Sequence, residues 1–129
     1  MAERNLDGSR ILVVEDEYFL ANDLSEALTE AGAEVLGPVP NVEAATAFIT
    51  SGAAIDAAVL DINLHGELVF PAADALCARG IPFAFATGYD QSVMPDRFLK
   101  VPRLEKPFKG AKVAAVLAPL MAACSPGAV

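Results

Sequence analysis

The chain has 129 residues, 54% hydrophobic and 20% charged; that is long enough for one domain with a real core and too apolar for a disordered segment. A formal net charge of −8 without any basic stripe excludes a phosphate-neutralising nucleic-acid surface and suits a cation site or a basic protein partner. No apolar stretch approaches membrane-span length, Met1 to Ser9 lacks the apolar core of a signal peptide, and Cys77 and Cys124 have no ligand-like spacing, so a soluble, cytoplasmic protein with reduced thiols is expected.

Arg10 to Asp16 reads as an apolar strand ending in two acids, Glu15 and Asp16. Tyr18 to Ala31 follows as a helix, with Leu20, Leu24, Ala27, Leu28 and Ala31 on one face and Gly32 as its cap. Glu34 to Gly37 is a short second strand, with Pro38 and Pro40 marking the turn after it. Asn41 is a good N-cap for a helix to about Thr50 that buries Val42, Ala45, Phe48 and Ile49. Ile55 to Asp61 is a third strand, apolar enough to be buried on both faces. A helix over roughly Leu68 to Ala78 admits Pro71 only in its first turn. Ile81 to Thr87 is a fourth strand with a hydroxyl at its carboxyl end. Gly88 to Leu99 carries Pro95 and a weak apolar pattern, so a short or irregular helix is expected. Val101 to Leu104, cut by Pro102, fits an edge strand. Lys109 to about Met121 is the last helix, with Pro119 expected to end or kink it, and a loose tail follows from Ser125.

Strand and helix thus alternate five times, which predicts a parallel sheet with helices on both faces and right-handed crossovers. The expected fold is a flavodoxin-like (βα)5 doubly wound α/β domain of strand order 2-1-3-4-5, with its core over about residues 10–121 and its site where strands one and three meet. In such a fold the strand ends bring Glu15, Asp16, Asp61, Thr87 and Lys106 to one crevice. Singly, each is a weak signal: acids suit a helix N-terminus, and Asp61 is also read as a cap for its own loop through Asn63 and Gly66.

Together, Val13-Val14-Glu15-Asp16-Glu17, Leu60-Asp61-Ile62-Asn63-Leu64, Ala86-Thr87-Gly88 and Glu105-Lys106-Pro107-Phe108 resemble the receiver domain of two-component response regulators, over about Arg10 to Met121. Phe85-Ala86-Thr87-Gly88-Tyr89 and Leu64-x-Gly66-Glu67 resemble an alphaproteobacterial single-domain subfamily with a Phe-Ala-Thr-Gly signature. The resemblance implies that Asp61 is the phosphoacceptor, a carboxylate nucleophile that becomes an aspartyl phosphate. It implies Mg²⁺ held by Asp16, Asp61 and the Asn63 carbonyl, with Glu15 acting through a water. Elementary chemistry agrees, since three close carboxylates repel one another unless a cation joins them, and all-oxygen ligands favour Mg²⁺ over Zn²⁺. Lys106 would neutralise charge on the transferring group, and Thr87 would donate to a phosphoryl oxygen. A cis Lys106–Pro107 bond is expected, and Asn63 and Tyr89 flank the route of the water that resets the switch.

The implied donor is a phosphohistidine on a sensor histidine kinase or histidine phosphotransfer protein. The implied output is phosphorylation-dependent binding of a downstream protein, with the fourth helix, fifth strand and last helix as docking face. The protein would be a monomer or weak dimer serving as relay intermediate, phosphate sink or adaptor. It would be no ordinary enzyme, although it catalyses its own phosphorylation and dephosphorylation. Three positions depart from the pattern: Arg103 stands at the usual aromatic of strand five, Asp90 where the subfamily has Tyr, and His65 where a loop Pro is usual. A lone loop histidine is read as exposed. If the switch lies in Gly88 to Leu99, phosphorylation is expected to order that segment. Two rivals remain: a receiver-fold interaction module that is never phosphorylated, and a flavin-binding electron carrier. The carrier needs a Ser/Thr/Gly-rich loop where Glu15-Asp16-Glu17 stands.

Overall fold

The computed structural model describes residues 6–87, 94–105 and 110–123. Their elements are β1 (Arg10–Val14), α1 (Tyr18–Glu30), β2 (Glu34–Val39), α2 (Val42–Thr50), β3 (Ala57–Asp61), β4 (Asn63–Leu64), β5 (Glu67–Leu68), α3 (Phe70–Ala78), β6 (Phe83–Thr87), a 3-10 turn (Asp96–Phe98), β7 (Arg103–Glu105) and α4 (Gly110–Ala123). Five strands form a parallel sheet in the order β2-β1-β3-β6-β7. With the small β4–β5 hairpin set aside, this is the doubly wound order expected from the alternation.

The apolar runs of β1, β3 and β6 fill both faces of the sheet, as strands buried on two sides must. Leu12, Val14, Ala58, Leu60 and Phe85 pack with Val42, Ala45 and Ile49 of α2 and Ala72, Ala73 and Leu76 of α3. Ile11, Val13, Ala57, Val59, Ala84 and Ala86 pack with Leu24 and Leu28 of α1 and Val113 and Leu117 of α4. Alternation along each strand sorts the two sets. On the α2–α3 face four phenylalanines meet. Phe98 stacks on Phe70 at 5.6 Å and meets Phe85 and Phe83 edge-on at 5.6 and 6.1 Å. Phe98 comes from the 3-10 turn, so one side chain plugs an otherwise polar segment into the core.

Several boundaries differ from expectation: β1, β3 and β6 are each two residues shorter, and four larger departures have a local cause. Strand β2 runs through Pro38 to Val39 instead of ending at Gly37. Its edge position lets it spare an N–H, and the register slips there: Leu12 pairs with Leu36, but Val14 pairs with Val39. Gly37 has φ 102, and a Cβ on it would stand 2.9 Å from the Val13 carbonyl oxygen, so only glycine fits. Pro119 neither ends nor visibly divides α4, which continues to Ala123. Its ring lies on the exposed side, while Val113 and Leu117 anchor the helix to the sheet. The fifth sheet strand is Arg103–Glu105 instead of 101–104. Finally, the β4–β5 hairpin precedes α3, which starts at Phe70 with Pro71 in its first turn.

Candidate functional site

Two strands deliver the acids. Strand β1 ends at Val14, and the Glu15 N–H donates to the Val39 carbonyl at 3.1 Å, tying the chain exit to β2. Glu15 is buried, 4% exposed, and its Oε2 accepts the Glu17 N–H at 3.2 Å. Glu17 in turn caps α1 by accepting the Leu20 N–H at 3.3 Å. The acidic run is therefore held by its own backbone at the start of a helix, where negative charge is favoured. Asp61 ends β3 beside β1, in register next to Ala86 of β6. Glu15, Asp16 and Asp61 each offer a carboxylate oxygen within 4.8 Å of the others.

These residues fit a hard divalent cation. All donors are carboxylate oxygens, and ligands on opposite sides of an ion at 2.0–2.6 Å stand about 4–5 Å apart. The loop reading of Asp61 also has its geometry: Asp61 Oδ1 accepts the Asn63 N–H at 3.3 Å, and Asn63 Oδ1 accepts the Gly66 N–H at 2.7 Å. The two roles are compatible, since a carboxylate has two oxygens and about four lone-pair sites.

Thr87 closes β6, one residue beyond the rung that Asp61 shares with Ala86. It is 1% exposed, and its Oγ1 has no hydrogen-bond partner among the described residues. A buried unpaired hydroxyl is costly, and here it stands on the strand next to the acidic cluster. Two and three residues after Asp16 in the chain, Tyr18 and Phe19 meet edge-to-face at 5.4 Å and are 74% and 72% exposed.

No family model and no curated protein matches the chain. Solved structures do. The chain is 43% identical to SdrG from Sphingomonas melonis Fr1, over 88% of this chain and 97% of that one, with TM-score 0.78. It is 41% identical to the BeF3-activated conformation of SdrG from Pseudomonas melonis Fr1, over 94% and 99%, with TM-score 0.72. A response regulator receiver protein from Sinorhizobium medicae WSM419 is 28% identical, over 93% and 99%, with TM-score 0.79. The chain belongs to the response regulator receiver family.

Receivers are phosphoacceptor modules of two-component signalling, not enzymes in the ordinary sense. In this receiver the structure brings together Glu15, Asp16 and Asp61, with Thr87 on the neighbouring strand and Asn63 on the hairpin. Lys106, its bond to Pro107, and Tyr89 lie outside the described residues, as does the first half of the 88–99 segment, residues 88–93. Glu105, just before Lys106, pairs with Thr87, so the backbone of β7 leads toward the site. Arg103 is half-buried opposite Phe85, so an arginine does stand two rungs before Thr87. No helix among the described residues is long and apolar enough to cross a membrane.

Sequence reasoning missed one residue. His65 is exposed, as expected, but its Nδ1 lies 3.2 Å from Asp16 Oδ2. The usable signal was the His65-Gly66 pair. With φ 51 and 88 the two residues form a primed hairpin turn, and histidine is among the few side chains that accept such a φ. The turn aims the ring back at the acids.

Proposed function

We propose that this chain is a stand-alone receiver that takes a phosphoryl group from a phosphohistidine onto Asp61, in a Mg²⁺-dependent reaction, and signals by binding another protein in its phosphorylated form. The observation that carries the reading is the convergence of three carboxylates from the ends of β1 and β3 within 4.8 Å. Glu15, Asp16 and Asp61 would hold the cation, with the Asn63 carbonyl beside them. Bound there, it would neutralise charge on the transferring phosphoryl group.

The protein's own groups do the rest. An Asp61 carboxylate oxygen forms the new O–P bond as the N–P bond of the donor breaks, and the released imidazole takes up a proton. The Asn63 N–H helps orient Asp61 by donating to its Oδ1. Lys106, by its residue type, would neutralise charge on the transferring group. The Thr87 hydroxyl, without a partner among the described residues, turns its hydrogen to a phosphoryl oxygen and so senses the modification. The exposed Tyr18–Phe19 pair beside the acids supports docking of a protein donor there. The Phe-Ala-Thr-Gly run and the identity to SdrG support membership of that single-domain subfamily. Relay, sink and adaptor roles all use this chemistry.

Labelled acetyl phosphate with Mg²⁺ tests the reading. Wild type should take up acid-stable, alkali-labile label, and Asp61→Asn should take up none. Label in the variant would move the phosphoacceptor elsewhere. No label in wild type would leave a receiver-fold interaction module.

A further inference from the structure

Helix α1 turns one side to the core, with Ala21, Leu24 and Leu28 buried. On the outward side, helical spacing lines up Tyr18, Asn22, Ser25 and Thr29 in one stripe. Phe19, Asp23, Glu26 and Glu30, all exposed, form the next. The helix carries no basic residue, and Asp23, Glu26 and Glu30 make no ion pair among the described residues. This charge arrangement works against the helix itself. Like charges three and four residues apart repel, and acids near the carboxyl end oppose the macrodipole, with no basic residue in the last turn to offset them. A hollow of about 430 Å³ lies against the same turns, lined by Ser25, Glu26, Thr29 and Glu30. The Ser25 Oγ is buried and has no partner among the described residues. Every side chain of the hollow offers an acceptor oxygen, which is the chemistry that receives an ammonium or guanidinium head. Toward the start of the helix, about 13 Å away at 1.5 Å per residue, the rings of Tyr18 and Phe19 stand exposed.

From this face we propose that α1 docks a basic amphipathic helix of a partner protein. Lys or Arg heads of that helix enter the hollow over residues 25–30, and its apolar side chains meet Tyr18 and Phe19. The proposal specifies the chemistry of the donor docking described above, and it rests on that reading only for which protein the partner is. Charge argues against the other occupants. The acidic stripe repels nucleic acid and anionic lipid, and a second copy of this chain carries the same net charge of −8. A helix suits the shape, because α1 is a ridge of 13 residues, about 20 Å long, and helices pack along such ridges at shallow crossing angles. Cations seated on the stripe relieve the repulsion between Glu26 and Glu30, so the feature that costs the free helix favours the bound one.

Fluorescence anisotropy on the full chain tests this with a labelled helical peptide that carries lysines toward one end of a face and leucines toward the other. A second peptide of the same composition spreads its lysines around the helix. The double variant Glu26→Gln, Glu30→Gln should weaken binding of the first peptide about fivefold or more, and Phe19→Ala should do about the same. Removing equal charge elsewhere, in Glu43→Gln, Glu67→Gln, should change it less than about twofold. The second peptide should bind wild type about fivefold more weakly or worse. Glutamine keeps the helix propensity and removes the repulsion, so the α1 double variant should melt no lower than wild type, which separates lost docking from lost folding. Equal weakening in the two double variants, or equal affinity for the two peptides, would mean that net charge alone is being read, and overturns the proposal. Wild type that binds neither peptide overturns it too. A dimer by sedimentation that Phe19→Ala dissolves would give the face to a second copy and overturn it likewise. Labelling of Asp61 is read without peptide, so the docking surface and the phosphoacceptor stand or fall separately.

Discussion

Replacing Thr87 with valine should make the resting protein more stable and at the same time less responsive to a phosphoryl mimic. Thr87 is 1% exposed, and its Oγ1 has no partner among the described residues. A buried hydroxyl without a partner costs about 1–3 kcal/mol. Valine keeps the β-branched shape that a strand favours and replaces the hydroxyl with a methyl of similar size. Taking the low end of the range, the variant gains about 1 kcal/mol at rest, or roughly 3–5 °C in Tm for a chain of this length. With Mg²⁺ and BeF3⁻ bound the balance reverses. A hydrogen bond from the hydroxyl to a charged group is worth about 1.5–3 kcal/mol, and valine cannot make it. Affinity for the mimic should fall roughly tenfold or more by the same figure. Urea unfolding with and without the mimic reads both effects. Thr87→Ser is the control: it keeps the donor, loses one methyl worth about 0.8 kcal/mol, and should retain the response. If valine lowered resting stability by more than about 1 kcal/mol, the hydroxyl would have a resting partner after all. If the mimic stabilised both proteins equally, Thr87 would not touch the modified group.

Other substitutions separate packing from surface charge. Phe98→Ala should cost about 3–5 kcal/mol in urea unfolding, because Phe98 is fully buried against Phe70, Phe83 and Phe85. Arg97→Ala should change unfolding little, although Arg97 binds both oxygens of Asp74 at 2.9 Å, because that pair faces water. Asn41→Ala should cost about 1 kcal/mol, since Asn41 Oδ1 caps α2 by accepting the Ala44 N–H at 2.7 Å. Partial burial and the Asp74 carboxylate push the Cys77 thiol up from 9.0, against the pull of Arg97. Its alkylation rate should therefore stay low through neutral pH and rise with a midpoint above 9.0; a midpoint below that value would contradict the surroundings described.

Much of the scaffold was legible because its signals are local. The apolar runs at Ile11–Val14, Ala57–Leu60 and Phe83–Ala86 declare strands buried on two faces. Asn41 starts α2, as its capping amide predicts, and Gly32 follows α1 at φ 99, where the lack of a Cβ suits it. Where reading failed, tertiary context overrode a local rule. Pro38 reads as a stop, yet β2 tolerates it because an edge strand has one side without a ladder. Pro119 reads as a stop too, but buried neighbours on the opposite side of α4 carry the helix past it. The hairpin after Asp61 escaped notice because two-residue strands are too short for any alternation to show.

Chain order alone determined that Asp16, Asp61 and Thr87 would sit at strand ends on one side of a doubly wound sheet, since right-handed crossovers leave few other arrangements. What it could not determine were distances across the crevice. The 4.8 Å meeting of three carboxylates, the Thr87 hydroxyl left without a partner among the described residues and the approach of His65 to Asp16 each depend on residues far apart in the chain or on a turn's handedness. Periodicity reports which face a side chain takes, because that is a property of one element. Contact between elements depends on how whole elements pack, and only the folded chain decides it.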